Sequence, residues 1–251
     1  MAEPSTSLRP GPSTSPGAAD AGQSTHPALS GVAPGHGVEG HPRLQHHFHS
    51  MDQQLEASTL GMWVFLVTEV MFFGGLFMAY LLYRYWYPEA WAAGSNHLDV
   101  VLGGINTAVL ICSSLTMVLA VRSAQVGSRV GQIVNLILTI GFGTTFLVIK
   151  YFEYAEKFEH HLVPGANFDP TLPRPEQLFF SLYFIMTGIH AAHMVVGIGI
   201  MLVMLVWAWR GRFGPSYYGP VEVSGLYWHF VDIVWIFLFP LLYLLGAHLG
   251  H

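Results

Sequence analysis

The chain has 251 residues, 52% of them hydrophobic, with only 10 Lys or Arg and 15 Asp or Glu. That is too little charge to cover a soluble domain of this size, so a membrane is its natural solvent. A formal net charge of -5 and scattered basic residues exclude nucleic acid as a partner. Cys112, the single cysteine, excludes an internal disulfide, a thiolate metal cluster, a two-cysteine copper site and an attached c-type haem.

Residues 1–50 are rich in Pro, Ser, Thr, Gly and His and hold no apolar run able to bury a core. They are expected to be a disordered tail, ahead of a five-helix transmembrane domain over 51–251. The tail lacks the charged and apolar regions of a signal peptide, which leaves targeting to the hydrophobic segment near residue 60. Its run HPRLQHHFHS, with His41, His46, His47 and His49, could hold a metal or buffer protons, although its context fits adventitious behaviour better.

A helix crossing the hydrocarbon needs about 20 apolar residues. Five stretches meet that length, at about 60–83, 100–121, 132–152, 178–209 and 224–246. The first opens at Ser58 and Thr59, both plausible N-caps, and closes in YRYWYPEAW, where aromatic rings suit the water interface and Pro88 stops the helix. RSAQVGSR, between the second and third spans, is a short polar turn that makes them antiparallel neighbours. EKFEHHLVPGANFDPTLPRPEQ, with four prolines, is the one long extramembrane connection expected. Arg43, Arg122, Arg129, Arg210 and Arg212 fall on one side, and Arg84, Lys150, Lys157 and Arg174 on the other. That count favours a cytoplasmic N-terminus. The expected fold is an all-α integral membrane bundle, and the absence of an internal repeat removes support for an inverted-repeat transporter.

An ionisable group inside a span costs several kcal/mol unless it is paired, hydrated or neutralised, so each such group is a candidate site. Glu69, in WVFLVTEVMFFGGLF, lies about 12 Å into the first span, near the bilayer midplane. It could handle protons, or it could bond Thr68 or a group on another helix and simply fix packing. His190 and His193 stand three residues apart on one helix face, close enough to share a metal or a proton. His229 is followed at the third position by Asp232, which could hold it by a hydrogen bond. The plainer alternative is an internal patch in which Glu69, Glu153, His190, His193, His229 and Asp232 satisfy one another. Trp228 and Trp235 bracket that patch, Tyr227 and Tyr243 add amphipathic rings, and lipid contacts are expected there. Gly103 and Gly104, Gly141 and Gly143, and Gly197 and Gly199 mark surfaces where helices can approach closely.

The strings WVFLVTEVMFF, YFEYAEKFE, FFSLYFIMTGIHAAHMVVG and LYWHFVDIVWIFLFPLLYLLG, in this order, closely resemble subunit III of haem-copper oxidases, over residues of about 56–247. The resemblance implies an all-helical, non-redox subunit beside the catalytic subunit I of a cytochrome c oxidase, in a complex with subunit II and small subunits. It implies support of proton uptake and stability, and bound phospholipid. Haem and copper would belong to the partner subunits, with no metal or cofactor in this chain, and cytochrome c would be the electron donor. Glu69, Glu153, His190, His193, His229 and Asp232 match the family's intramembrane polar positions and would be structural or proton-buffering rather than catalytic. Trp63, Trp228, His229 and Trp235 would contact lipid. Many members carry two further helices that form one wall of a lipid cleft. This chain resembles the five-helix bacterial form, which implies the bacterial inner membrane. A quinol oxidase subunit and an accessory subunit of nitric oxide reduction share the plan. At the Glu69 position the quinol relatives tend toward Asp, which favours cytochrome c. Outside the family, a proton-coupled transporter or a di-haem membrane cytochrome, with His190 or His193 facing His229, would also use buried histidines.

Overall fold

The computed structural model describes Gln45 and residues 48–164 and 172–244. His41, His46, His47 and most of the expected tail lie outside the described residues. The described residues form six α-helices and a closing π-helical turn, with one isolated β-bridge between Gly214 and Tyr217. Five of the helices are long and apolar enough to cross a membrane.

Helix α1 (Met51–Trp86) starts at Ser50, whose hydroxyl accepts from the Gln53 amide at 3.1 Å. His49, just ahead of it, is exposed. Ser58, expected as a cap, lies inside the helix and donates to the Gln54 carbonyl. The helix has 36 residues, about 54 Å at 1.5 Å each, against about 30 Å of hydrocarbon. Hydropathy marks where the chain enters lipid, whereas the cap marks where the helix begins, and here the two are well apart.

Pro88 ends α1 as expected, then opens a short helix, α2 (Pro88–Ser95), that hydropathy does not announce. Proline at the first helical position has its φ already set and lacks an N–H that would go unpaired anyway. Trp91 of α2 is buried edge-on against Tyr80 and Phe179, with ring centroids 5.8 and 5.7 Å away.

Helix α3 (Val100–Val126) is capped by the Asp99 carboxylate, which accepts from the amides of Val101 and Leu102. It turns through Gly127, at φ 82°, into α4 (Arg129–Glu159). That left-handed backbone is open to glycine at little cost. The two helices are antiparallel neighbours, joined midway by a 2.8 Å bond between the Thr116 and Thr139 hydroxyls. Because α4 runs on through EKFE and α5 (Arg174–Trp209) takes up RPEQ, the long connection shrinks to residues 160–173.

Helix α6 (Gly219–Phe239) continues into the π-helical turn Pro240–Leu244. Two carbonyls in that turn find side-chain donors: Tyr80 bonds Leu241 at 2.9 Å and Ser95 bonds Leu242 at 3.1 Å. The last carbonyls of a helix lack partners within it, and these side chains supply them. The last span is the most enclosed, with 56% of its apolar window buried against 17% for α1.

The core converges on Trp228 of α6, which is fully buried. A Cβ at Gly143 on α4 would fall 2.7 Å from the Trp228 ring, and one at Gly197 on α5 would fall 2.9 Å from it. Its indole N–H donates to Ser113 Oγ of α3 at 2.8 Å. One side chain therefore touches three other helices, and the two missing methyl groups make its seat. Gly141 and Gly199 are different, since nothing lies within 4 Å of a Cβ at either. Gly143→Ala and Gly197→Ala are each expected to lower stability in detergent by about 1–3 kcal/mol through overpacking, whereas Gly141→Ala and Gly199→Ala stay within about 0.5 kcal/mol. Thermal unfolding followed by circular dichroism tests the contrast, and four equal variants would mean that the ring is not seated this way.

Candidate functional site

The six expected polar residues do not form one patch. They divide among separate places in the bundle.

Glu69 on α1 reaches α5, where its Oε2 lies 3.3 Å from Nε2 of His193. Thr68, its expected partner, donates instead to the Phe65 carbonyl. The other His193 nitrogen, Nδ1, is 2.9 Å from the Ile189 carbonyl. A carbonyl only accepts, so Nδ1 carries a proton and the ring meets Glu69 through Nε2. Either the carboxyl or the imidazole then holds the proton between them. The Phe73 ring stands edge-on to the imidazole at 5.4 Å. Both side chains keep about a fifth of their surface exposed, 18% for Glu69 and 21% for His193.

Glu153 on α4 belongs to a closed network with Lys150, one helical turn earlier. The Lys150 ammonium donates to Glu153 Oε2 at 3.0 Å, to the Tyr243 hydroxyl at 2.8 Å and to the Tyr183 hydroxyl at 3.3 Å. Glu153 Oε1 accepts from Tyr183 at 2.7 Å and from Tyr243. All three ammonium donors and both carboxylate oxygens are thus used. Lys150 is 3% exposed, and its Nζ also sits 4.9 Å from the centre of the Trp235 ring. The sequence reading counts Lys150 among charges flanking the membrane; the structure corrects this, because three partners from α5, the closing turn and its own helix hold it inside the bundle.

His229 does not bond Asp232, although their spacing suggested it. Its Nδ1 lies 2.7 Å from Ser114 Oγ on α3. Asp232 is 3% exposed; its oxygens make no hydrogen bond of ordinary geometry among the described residues, and the Ser114 hydroxyl is its polar neighbour. His190 is also buried, packed at 5.2 Å on Trp235 and edge-on to Phe146 at 5.5 Å, with both ring nitrogens unbonded. His190 and His193 share a helix but face different neighbours. No group of three His, Cys, Asp or Glu among the described residues is disposed to hold a metal ion.

The expected lipid contacts divide as well. Trp228, Trp235 and Tyr243 are fully buried and Tyr227 is largely so, which turns their rings toward protein rather than acyl chains. Trp235 donates its N–H to Thr107 at 3.1 Å. Trp63 is 55% exposed and, with His229, lines an apolar trough of about 470 Å³ between α1 and α6.

Lys150, Tyr183, Tyr243 and Ser114 escaped the reading from sequence. A Lys three residues before a Glu in an apolar run was the available signal for the first. Tyr183 and Ser114 lie far along the chain from their partners and gave none, while Tyr243 stood out only as an amphipathic ring.

The family model described as cytochrome c oxidase subunit III matches residues 44–247, which enclose all five spans. A protein of Synechocystis sp. named "Cytochrome c oxidase subunit 3" is 34% identical over 84% of this chain and 79% of its own length. One of the same name from Corynebacterium diphtheriae is 35% identical over 74% of this chain and 86% of its own. A protein of Aeropyrum pernix named "Heme-copper oxidase subunit I+III" is 32% identical over 73% of this chain and 22% of its own length. The extent of the match and the identity over whole relatives are sufficient: this chain belongs to the cytochrome c oxidase subunit III family.

Proposed function

We propose that this chain is the non-redox subunit III of an aerobic respiratory haem-copper cytochrome c oxidase, in a bacterial inner membrane with its N-terminus cytoplasmic. It packs beside catalytic subunit I, supports that subunit's proton uptake and stability, and binds phospholipid. Haem and copper belong to the partner subunits, and cytochrome c is the donor to the complex. The observation that carries this reading is the family match across all five spans. The relative whose one chain bears the name of subunits I and III supports direct contact with subunit I.

The polar places take separate roles in this reading. Glu69 and His193 share one proton near the outside of the bundle, as a proton-buffering pair would. The Lys150 network is structural, joining α4 to α5 and to the closing turn. The trough between α1 and α6 holds an acyl chain, with Trp63 and His229 at its wall.

Purification of the tagged chain in mild detergent is expected to bring a haem-copper subunit with it, and oxygen uptake with reduced cytochrome c. Uptake with quinol alone would transfer the chain to the quinol-oxidising relatives, and isolation without an oxidase would end the subunit reading. For the ion pair, Lys150→Met leaves Glu153 buried without its counter-charge and is expected to cost about 3–5 kcal/mol. Adding Glu153→Gln should recover a large part of that loss, as read by thermal unfolding in detergent. Additive losses would argue against a coupled pair. Glu69→Gln keeps a side chain able to bond His193. It is expected to assemble normally while removing a protonation-linked carboxyl band from infrared difference spectra of the complex; an unchanged spectrum would deny Glu69 a part in proton buffering.

A further inference from the structure

Two pairs of adjacent glycines lie inside the described helices, and only one has a packing reason. A Cβ at Gly103 would fall 2.7 Å from the Phe239 ring, and one at Gly104 would fall 3.9 Å from it. Gly74 and Gly75 of α1 are exposed, and nothing lies within 4 Å of a Cβ at either. Glycine inside a helix costs stability relative to alanine, because its backbone has more freedom to lose. Two in succession, with no neighbour that a methyl group would strike, make this the point at which α1 bends most easily.

The chain is held differently on the two sides of that point. On the C-terminal side Tyr80 is buried, donates to the Leu241 carbonyl at 2.9 Å and meets Trp91 edge-on, which pins the end of α1 to α2 and to the closing turn. On the N-terminal side, residues 51–73 pack through rings, Phe65 on Tyr227 and Phe73 on Phe230. Among the described residues, the one hydrogen bond or ion pair from this arm to another helix is that of Glu69 with His193. The trough toward α6 follows the same boundary. Helix α1 lines it from Trp63 to Phe77, through Gly74. A bend at the glycines therefore changes the width of the trough along most of its length and leaves the pinned end in place.

We propose that Gly74 and Gly75 form a hinge on which residues 51–73 swing to open and close the trough on an acyl chain, with the Glu69–His193 contact as the catch that holds the arm in. This rests on the reading above that the trough holds an acyl chain, and adds to it the moving part. A hinge needs only a few residues that absorb the backbone change between two segments that stay rigid.

The test uses the whole complex in lipid nanodiscs. Spin labels on ketone-bearing amino acids at Leu60 and Val130, both exposed, report the arm against α4, and a pair at Tyr85 and Val101, also exposed, reports the pinned end. Pulsed dipolar EPR should give a broad distance distribution for the first pair and a narrow one for the second. Gly75→Ala adds a methyl group in open space and leaves the trough lining unchanged. It should narrow the first distribution to the width of the second, whereas Glu69→Leu, which removes the catch, should broaden it. Lipid with a diazirine on its acyl chain should label the Trp63 peptide on illumination, at a rate about fivefold lower in Gly75→Ala, the factor expected for one helical glycine replaced by alanine. Equal widths or equal labelling rates with and without Gly75→Ala would make α1 rigid and overturn the hinge, while the acyl-chain reading stands. Loss of the chain from the complex in Gly75→Ala would mark the glycines as the seat of a neighbouring helix and overturn it as well. If the Trp63 peptide takes no label in either protein, the acyl-chain reading falls, and the role given to the hinge falls with it.

Discussion

The bundle depends on one large ring filling the space left by two absent methyl groups. In lipid the helices gain no hydrophobic energy by leaving solvent, since acyl chains are as apolar as leucine, so close fit and hydrogen bonds must hold them together. Trp228 supplies both: its ring lies against Gly143 and Gly197, and its N–H reaches Ser113. Helices α3, α4 and α5 thereby share one surface on α6. The position of that surface fixes where every polar group on α6 can point, including His229 toward α3 and Asp232 into the groove beside it.

The intramembrane charges then fall into three degrees of closure, each with a different consequence. Around Lys150 every donor and acceptor is used, and the network ties residues 33 and 93 positions apart in the chain. Removing either ion strands the other, which is why such a pair fixes geometry more than it adds stability. Between Glu69 and His193 the carbonyl of Ile189 fixes the tautomer, so the imidazole meets the carboxyl through Nε2 while both keep some exposure. At Asp232 the Ser114 hydroxyl is the polar neighbour, and no ion pair closes the site among the described residues.

The five spans were legible because twenty apolar residues in a row have few other uses. Their ends were less so: α1 begins at a polar cap well before the lipid, and α4 and α5 run through charged segments that hydropathy assigns to a loop. Helix α2 was invisible, being eight residues held by the packing of Trp91 rather than by its own pattern. Site chemistry was legible by residue but not by pairing. Spacing put His229 with Asp232, yet the ring turns to Ser114, which is 115 residues away in sequence. Trp228 and Trp235 invited a lipid assignment because tryptophan favours the membrane interface; glycine notches and hydroxyl partners on other helices took them inside instead. Lys150 was misplaced because a tally of basic residues treats any lysine near the end of a span as solvated.

Helix α6 separates two environments that the same chain must satisfy at the same depth. On the α1 side the lining is apolar apart from His229, and a flexible chain without hydrogen bonds fits it at no polar cost. On the α3 side the walls are equally apolar, but Ser114, His229 and Asp232 join the lining. His229 lines both, and its ring is oriented by Ser114 on the carboxyl side. A single substitution there would change the wall of one groove and the polar set of the other. Asp232 lines the α3 groove and not the trough toward α1, so the carboxyl belongs to one side of α6.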